Sequence, residues 1–533
     1  MSILAWCATA VAAASIPLAG LRWLRVAQRE HYLPGRVSRF AYRWWASPPY
    51  NIAAFCAALG CVVAAFWVSA VAFPAAALVA VFPLGLGVRG RTSRLAWTRR
   101  LRVLALTCAV LAAGVVIVGI VVHRGAGFAA LTAIGAPLVV DAGLAATRPI
   151  ETLLARRFVV QATETMRRVR PRVVAITGSY GKTSTKGYVK HLTSGAFEVV
   201  ASPASYNNRA GICRTVNEHV RPETEVLVAE MGTYGPGEIE EMCRFVRPEI
   251  AMITAIGPVH LERFGSLERT LEAKSEITEG ASTIVLATDD ALLAGYADKL
   301  ESEGRHVIRC SGSSVLARGV SVLAAPAPAP APATAVCAGQ RLELHVDGVR
   351  VGESLVAADN VPASASNVAC AVGAAVALGL QPEVLLKKLS TLPVAANRLQ
   401  VRDSSGGFRI IDDTYNANPA GARVALGRLA EAGGSSNKRV VVTPGMIELG
   451  PIQSTENEAF AAGCATIATD VVVVGRTNKR ALVAGLTRDG ADAGVGANVV
   501  LVANRDEALE WIRANLATGD VVLYENDLPD HFP

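Results

Sequence analysis

The chain has 533 residues, 51% of them hydrophobic and only 18% charged, with a net charge of +7. That length suits about three or four domains, and so little charge argues against a wholly soluble protein. The excess arginine lies beside apolar segments and no aromatic-and-basic alternation offers a stacking surface, so the charge calls for no nucleic-acid partner.

Residues 1–150 predict a membrane domain. A bilayer-spanning helix needs about 20 mostly apolar residues, and five stretches approach that: 3–20, 51–70, 72–88, 103–122 and 128–146. Only a tight turn parts the second from the third, which therefore form either a hairpin or one kinked element. No basic region precedes the first, so it is a poor cleaved signal peptide. Arg22, Arg25, Arg29, Arg36, Arg39 and Arg43 follow the first stretch. Arg89, Arg91, Arg94, Arg99, Arg100 and Arg102 separate the third from the fourth, and Arg148, Arg156 and Arg157 follow the fifth. The positive-inside rule then puts the N-terminus outside and everything beyond about residue 147 in the cytoplasm, as in a multi-pass plasma (inner) membrane protein. Asp141, inside the fifth stretch, is either a functional intramembrane acid or a partner for Arg148. Residues 151–171 hold Arg156, Arg157, Arg167, Arg168 and Arg170. They suit a basic amphipathic connector on an anionic leaflet, or a plain solvated helix. The ten cysteines show no CxxC pair or metal-like spacing and read as reduced thiols.

From residue 172 the text becomes that of an α/β protein. Residues 172–177 (RVVAIT) read as a buried strand, followed by GSYGKTSTK and a helical stretch through residue 192. Strand, glycine loop and helix are the setting a phosphate-binding loop requires. Gly178 and Gly181 would let backbone N–H groups face phosphate oxygens, with Ser179 and Ser184 beside them. Lys182 would reach the β- and γ-phosphates of ATP, and the Thr183 hydroxyl would join Mg²⁺ coordination. The spacing G-x-x-G-K-T is shorter than the usual GxxxxGK[ST]. VLVAEMG (226–232) is an apolar strand ending in an acid, which would put Glu230 at the same carboxyl edge as a Mg²⁺ ligand. ITAIGPVHL (253–261) would bring His260 to that edge. Asn207 and Asn208 are either polar contacts near the γ-phosphate or turn-formers.

These motifs run in one order: GSYGKT, SYNNRAG (205–211), VLVAEMG, IAMITAIGPVHLERFGS (250–266), EAKSEI (272–277), NRLQV (397–401) and IDDTYNANP (411–419). Over about residues 172–450 the chain resembles the Mur ligase superfamily, especially its D-alanyl-D-alanine-adding branch. The resemblance implies a multi-domain protein: the helical transmembrane region, a central α/β P-loop ATPase domain over 172–396 and a small α/β C-terminal domain over 397–533. It implies an ADP-forming ligase in which ATP phosphorylates a carboxylate and an amine displaces the phosphate, giving an amide. It also makes Lys182, His260 and Lys274 catalytic. Lys274, carbamylated by CO₂, would join Thr183, Glu230 and His260 in holding two Mg²⁺ ions. Arg398 would contact phosphate, and Asp413 would hold the nucleotide from the C-terminal domain.

Several features depart from that pattern. The family's N-terminal UDP-sugar-binding domain is replaced by the membrane region. The expected substrates are therefore a lipid-linked or polymeric envelope precursor and an amino acid or short peptide, with a partner protein possible for donor recognition. Ala287 in VLATDD stands where relatives have Asn, Ser366–Asn367 where they have His-Asn, and the acidic Glu525, Asp527 and Asp530 where they have a basic KGSR-like segment. The Pro-Ala tract at 324–332 reads as an extended surface loop within the central domain. A poly-γ-glutamate-type ligase is the nearest alternative. A P-loop-driven transporter, a nucleotide-binding scaffold and a folate-type polyglutamate ligase rank below it.

Overall fold

The computed structural model describes all residues except 47, 89–94, 204–205, 327–338, 358–361, 363, 394–398, 415–417, 433–436, 489–495 and 528–533. Two compact units emerge, one built from Met1–Ala155 and the other from Arg156–Asp527.

The first unit is helical: α1 (Ile3–Arg29), α2 (Arg36–Trp45), α3 (Pro49–Ala65), α4 (Ala72–Val81), α5 (Arg99–Val121), α6 (Gly125–Ile134) and α7 (Ala136–Val169), the last running on into the second unit. One part of its interior is built on small residues, among them Ala8, Ala12, Ala65, Ala72, Ala75, Ala126 and Ala129, which let helices approach closely, and another on large ones, among them Trp23, Phe40, Trp44 and Leu101. Other large apolar side chains point outward: Ile3, Leu106, Val110, Ile117 and Val121 are each more than half exposed.

Five spans were expected, whereas two helices, α1 and α5, are long and apolar enough to cross a bilayer, or up to four if the bent pairs α2/α3 and α6/α7 each count as one. Stretch 72–88 yields only the ten-residue α4, because Pro83 drives Phe82 into an extended conformation. Stretch 128–146 is broken at Gly135, where α6 and α7 bend by 75°. Most of the expected connector at 151–171 lies in the second half of α7, which ends at Val169. Asp141 does not pair with Arg148. Its carboxylate accepts from the backbone N–H groups of Gly35 (2.8 Å), Val37 (3.3 Å) and Ser38 (2.8 Å) and so caps the first turn of α2. Buried Arg22 caps the other kind of helix end: its guanidinium donates to the carbonyls of Val79 (3.0 Å), Ala80, Val81 (3.3 Å) and Phe82 (2.9 Å) at the C-terminus of α4. Arg89, Arg91 and Arg94 lie outside the described residues.

The second unit contains two sheets. The strands of the first are β1 (Arg172–Thr177), β2 (Val199–Ala201), β3 (Val226–Glu230), β4 (Ile250–Ile253), β5 (Thr283–Ala287), β6 (Val307–Ser311), β7 (Val320–Pro326), β8 (Gln340–Val346) and β9 (Val349–Val356). Their spatial order is β2-β3-β1-β4-β5-β6-β7-β8-β9, parallel through β7 and antiparallel thereafter. β1 is apolar over Val173–Ile176 and β3 over Val226–Ala229, as a strand covered on both faces requires. The Pro-Ala tract joins β7 to β8, with 327–338 outside the described residues.

β10 (Gln400–Asp403), β11 (Arg409–Asp413), β12 (Arg439–Thr443), β13 (Asp470–Val474), β14 (Asn498–Val502) and β15 (Val521–Glu525) form the second sheet, in the order β10-β11-β15-β12-β13-β14. All but β10 run parallel. Leu426, Cys464 and Leu482 pack on one face, and Ala508 and Ile512 on the other. The nine described cysteines are free thiols.

Candidate active site

β1 lies between β3 and β4, so its carboxyl end opens where Thr177, Glu230 and Ile253 finish neighbouring strands. In parallel α/β sheets ligands bind outside that edge. The loop there needs its glycines. Gly178 (φ +152°) and Gly181 (φ +84°) have left-handed backbone, and a side chain would strike Thr254 at the first and Asn367 at the second. Gly181 leads directly into α8 (Lys182–Thr193), whose free N–H groups favour an anion. The Ser179 hydroxyl accepts from Gly257 N (2.9 Å) and donates to Gly257 O (3.1 Å), tying the loop to the segment after β4. The Lys182 ammonium folds back over this loop onto Gly178 O (2.6 Å) and Ser179 O (3.3 Å). Ser184 is buried in the first turn of α8.

Glu230, buried at the end of β3, is the hub. One carboxylate oxygen accepts from Thr183 Oγ1 and from Asn207 Nδ2, both at 3.2 Å, and the other pairs with Lys186 Nζ at 2.9 Å. Lys186 was not anticipated, although it stands one turn after Lys182 on the same face of α8. Lys274, in the helix Leu267–Ser275, is almost fully buried. Burial, and then the charge of Lys182, hold its amine well below the ordinary lysine value.

Other expected residues stand apart. β4 ends at Ile253, so His260 lies seven residues beyond the strand edge. Its Nδ1 pairs with Glu448 Oε2 from the second-sheet domain, and its ring meets Tyr234 edge-on at 5.3 Å. Asn208 is the N-cap of α9 (Arg209–His219), accepting from Gly211 N at 2.9 Å, which is the turn-forming role. Asp413, at the end of β11, accepts from Leu399 N (3.1 Å) and is fully buried beside Glu525 of β15. Burial, then the charge of Asp413 and a hydrogen bond that protonated Glu525 donates to it, push the Glu525 carboxyl well above its usual range. Arg398, Ser205 and Asp530 lie outside the described residues. Ser366, in the place of the expected His, donates to Asp289, which also accepts from Ser311 Oγ (2.6 Å), Ser313 Oγ (2.5 Å) and Gly312 N (2.7 Å).

A family model of the Mur ligase middle domain matches residues 176–318, and one of the Mur ligase glutamate ligase domain matches residues 397–524. The UDP-N-acetylmuramoyl-tripeptide–D-alanyl-D-alanine ligase of Mycobacterium leprae is 31% identical over 372 residues, covering 66% of this chain and 70% of its own length. Its namesake in Bacillus subtilis is 26% identical over 356 residues, covering 66% and 72%. Among solved structures, MurF from Acinetobacter baumannii superposes with a TM-score of 0.57 at 24% identity over 69% of this chain and 77% of its own. MurF ligase from Thermotoga maritima, in complex with ADP, does so with a TM-score of 0.55 at 21% identity, over 70% and 80%. The last two likenesses speak to the fold.

Such ligases use ATP and Mg²⁺, and the residues present fit both in part. The glycine loop, whose turn leaves no room for a Cβ, and the α8 N-terminus suit phosphate. The Thr183 hydroxyl and the Glu230 carboxylate, a hard oxygen pair already facing the Lys186 cation, suit Mg²⁺. A second Mg²⁺ finds no ready acidic cluster: among the described residues no three His, Cys, Asp or Glu side chains converge.

Proposed function

Because this chain belongs to the Mur ligase family, whose members are ATP-dependent ligases that form amide bonds, we propose that it builds cell-envelope peptide at the cytoplasmic leaflet of the plasma membrane. The observation that carries the reading is the phosphate loop set beside Glu230 at one carboxyl edge, with Lys182 folded over that loop. The arrangement of domains proposed is a membrane domain over 1–150, a central domain over 172–396 and a C-terminal domain over 397–533. The apolar side chains turned outward on α1 and α5 support the membrane anchor.

The relatives are named for adding D-alanyl-D-alanine to a UDP-muramoyl tripeptide. For this chain the proposed donor is a peptide carboxylate on a lipid-linked or polymeric precursor, and the acceptor an amino acid or short peptide. Lys182 exchanges the carbonyls of Gly178 and Ser179 for phosphate oxygens, and the α8 N–H groups hold the same anion. Thr183 and Glu230 present their oxygens to Mg²⁺, which when bound neutralises charge on the transferring phosphoryl group. In its unprotonated form, which burial favours, the Lys274 amine attacks CO₂ and loses a proton, forming a carbamate. That step places an anion beside the Lys182 cation and supplies the negative charge a second Mg²⁺ would need.

The test is ADP release by the detergent-purified chain with Mg²⁺ and bicarbonate, screening lipid-linked and UDP-linked precursors against amino acids and dipeptides. Release that requires one precursor and one amine, and that Lys182→Ala abolishes, is the expected result. Release indifferent to every acceptor would overturn the reading. A ¹³C-bicarbonate carbonyl resonance lost in Lys274→Ala checks the carbamate separately.

A further inference from the structure

We propose that Glu448 is a positioning residue for ligation: it docks the C-terminal α/β domain onto the segment 257–263 and thereby sets that domain over the phosphate loop. Its catalytic consequence rests on the ligase reading above, while the docking itself rests on geometry alone.

Glu448 sits in the segment 444–449 that leaves β12, and buried asparagines hold this segment by its backbone. Asn457 Oδ1 accepts from Met446 N (2.8 Å), and its Nδ2 donates to Met446 O (2.9 Å). Asn478 Nδ2 donates to Pro444 O and Met446 O, both at 3.0 Å, and Asn526 Nδ2 donates to Gly445 O at 2.6 Å. Gly445 has φ +76°, and a side chain there would strike Asn457 and Asn478. At the tip of this braced segment Glu448 takes φ +61°, and opposite it His260 takes φ +58°. Left-handed backbone at two non-glycine residues persists where the surroundings fix it.

Three polar atoms at the tip bond to the central domain. Glu448 Oε2 pairs with His260 Nδ1, Oε1 accepts from Arg263 Nη2 at 2.9 Å, and the Glu448 carbonyl accepts from Glu262 N at 3.2 Å. The Arg263 side chain is 6% exposed, and its Nε and Nη1 find no partner among the described residues. Glu448 is therefore the carboxylate that keeps this guanidinium buried, with its carbon 4.5 Å from the centre of the Tyr234 ring. The path to the chemistry is short. Gly257, whose backbone holds the Ser179 hydroxyl of the phosphate loop, lies three residues before His260.

Two measurements on the full-length chain in detergent test the proposal. The first is the distance between genetically encoded labels at exposed positions 303 and 510, one on each domain. The second is a double-mutant cycle of Glu448→Ala and Arg263→Ala, with nucleotide affinity measured directly beside kcat. The expected result is a broadened, lengthened distance in either single variant and a fall in kcat of about tenfold or more with nucleotide affinity nearly unchanged. The double variant should lose no more than either single one. Glu448→Gln, which keeps shape and removes charge, should reproduce the shift if Glu448→Ala proves unstable. An unchanged distance, or losses that multiply across the cycle, overturns the proposal. Absence of ligation by the wild-type chain counts against the ligase reading alone, because the distance still reports docking.

Discussion

Replacing Lys186 by Met isolates the part played by a cation at Glu230. The pair is buried, with side-chain exposures of 8% and 2%, and its atoms are 2.9 Å apart. Removing one partner of such a pair costs about 3–5 kcal/mol, because a carboxylate is left in a poorly solvated place. Glu230 would keep the donors Thr183 and Asn207, each at 3.2 Å, which argues for the lower figure, about 3 kcal/mol. At about 2–4 °C per kcal/mol for a domain of this size, the nucleotide-free chain should melt about 6–12 °C lower. Mg²⁺-nucleotide should narrow that gap, because it brings a replacement cation to the same carboxylate. The double variant Lys186→Met, Glu230→Leu should melt close to wild type, since an apolar pair of similar volume restores neutrality. Differential scanning fluorimetry of the detergent-purified chain reads all three. Equal melting of wild type and Lys186→Met without nucleotide, or a gap that Mg²⁺-nucleotide leaves unchanged, would refute the reasoning.

Glu525 has a raised folded-state pKa, so its protonated form contributes stability that is complete below its unfolded value, about 4.3, and is lost as pH rises through the folded value. Glu525→Gln should therefore flatten the fall in melting temperature towards alkaline pH, and identical pH slopes in the two proteins would refute this. Gly181→Ala should weaken binding of a fluorescent nucleotide about tenfold or more, since left-handed backbone alone costs about 1–2 kcal/mol and a Cβ meets Asn367. Asp141→Ala should cost about 1–2 kcal/mol through loss of the α2 cap, seen as a lower melting temperature in detergent with Asp141→Asn intermediate.

The sequence made the phosphate loop and its edge legible because their signals are local. An apolar strand, two glycines and a following helix are contiguous, and the structure returns them within a residue of the expected bounds, at Arg172–Thr177 and Lys182–Thr193. Glu230 was equally readable as the acid that ends an apolar strand. His260 was harder to place, because the strand before it ends at Ile253 and nothing nearby in the chain announces Glu448, 188 residues away. Asp141 failed for a similar reason. Its neighbour in sequence was Arg148, but its partners are backbone N–H groups about a hundred residues earlier. Hydropathy marked five stretches where two helices, or up to four with the bent pairs, are long and apolar enough to cross a bilayer, because it sums apolar character and is blind to the break at Pro83 or Gly135.

The Arg22 contact has a consequence for the order of synthesis. The carbonyls that receive its guanidinium lie 57–60 residues further along the chain. At about 5–20 residues per second, several seconds of translation separate the donor from its acceptors. During that interval α1 carries a cation whose final partners do not yet exist, so the first helix reaches its finished environment only after the end of α4 has left the ribosome. A chain cut short before Val79 would leave the Arg22 guanidinium of α1 without any of the four carbonyls that receive it in the finished fold.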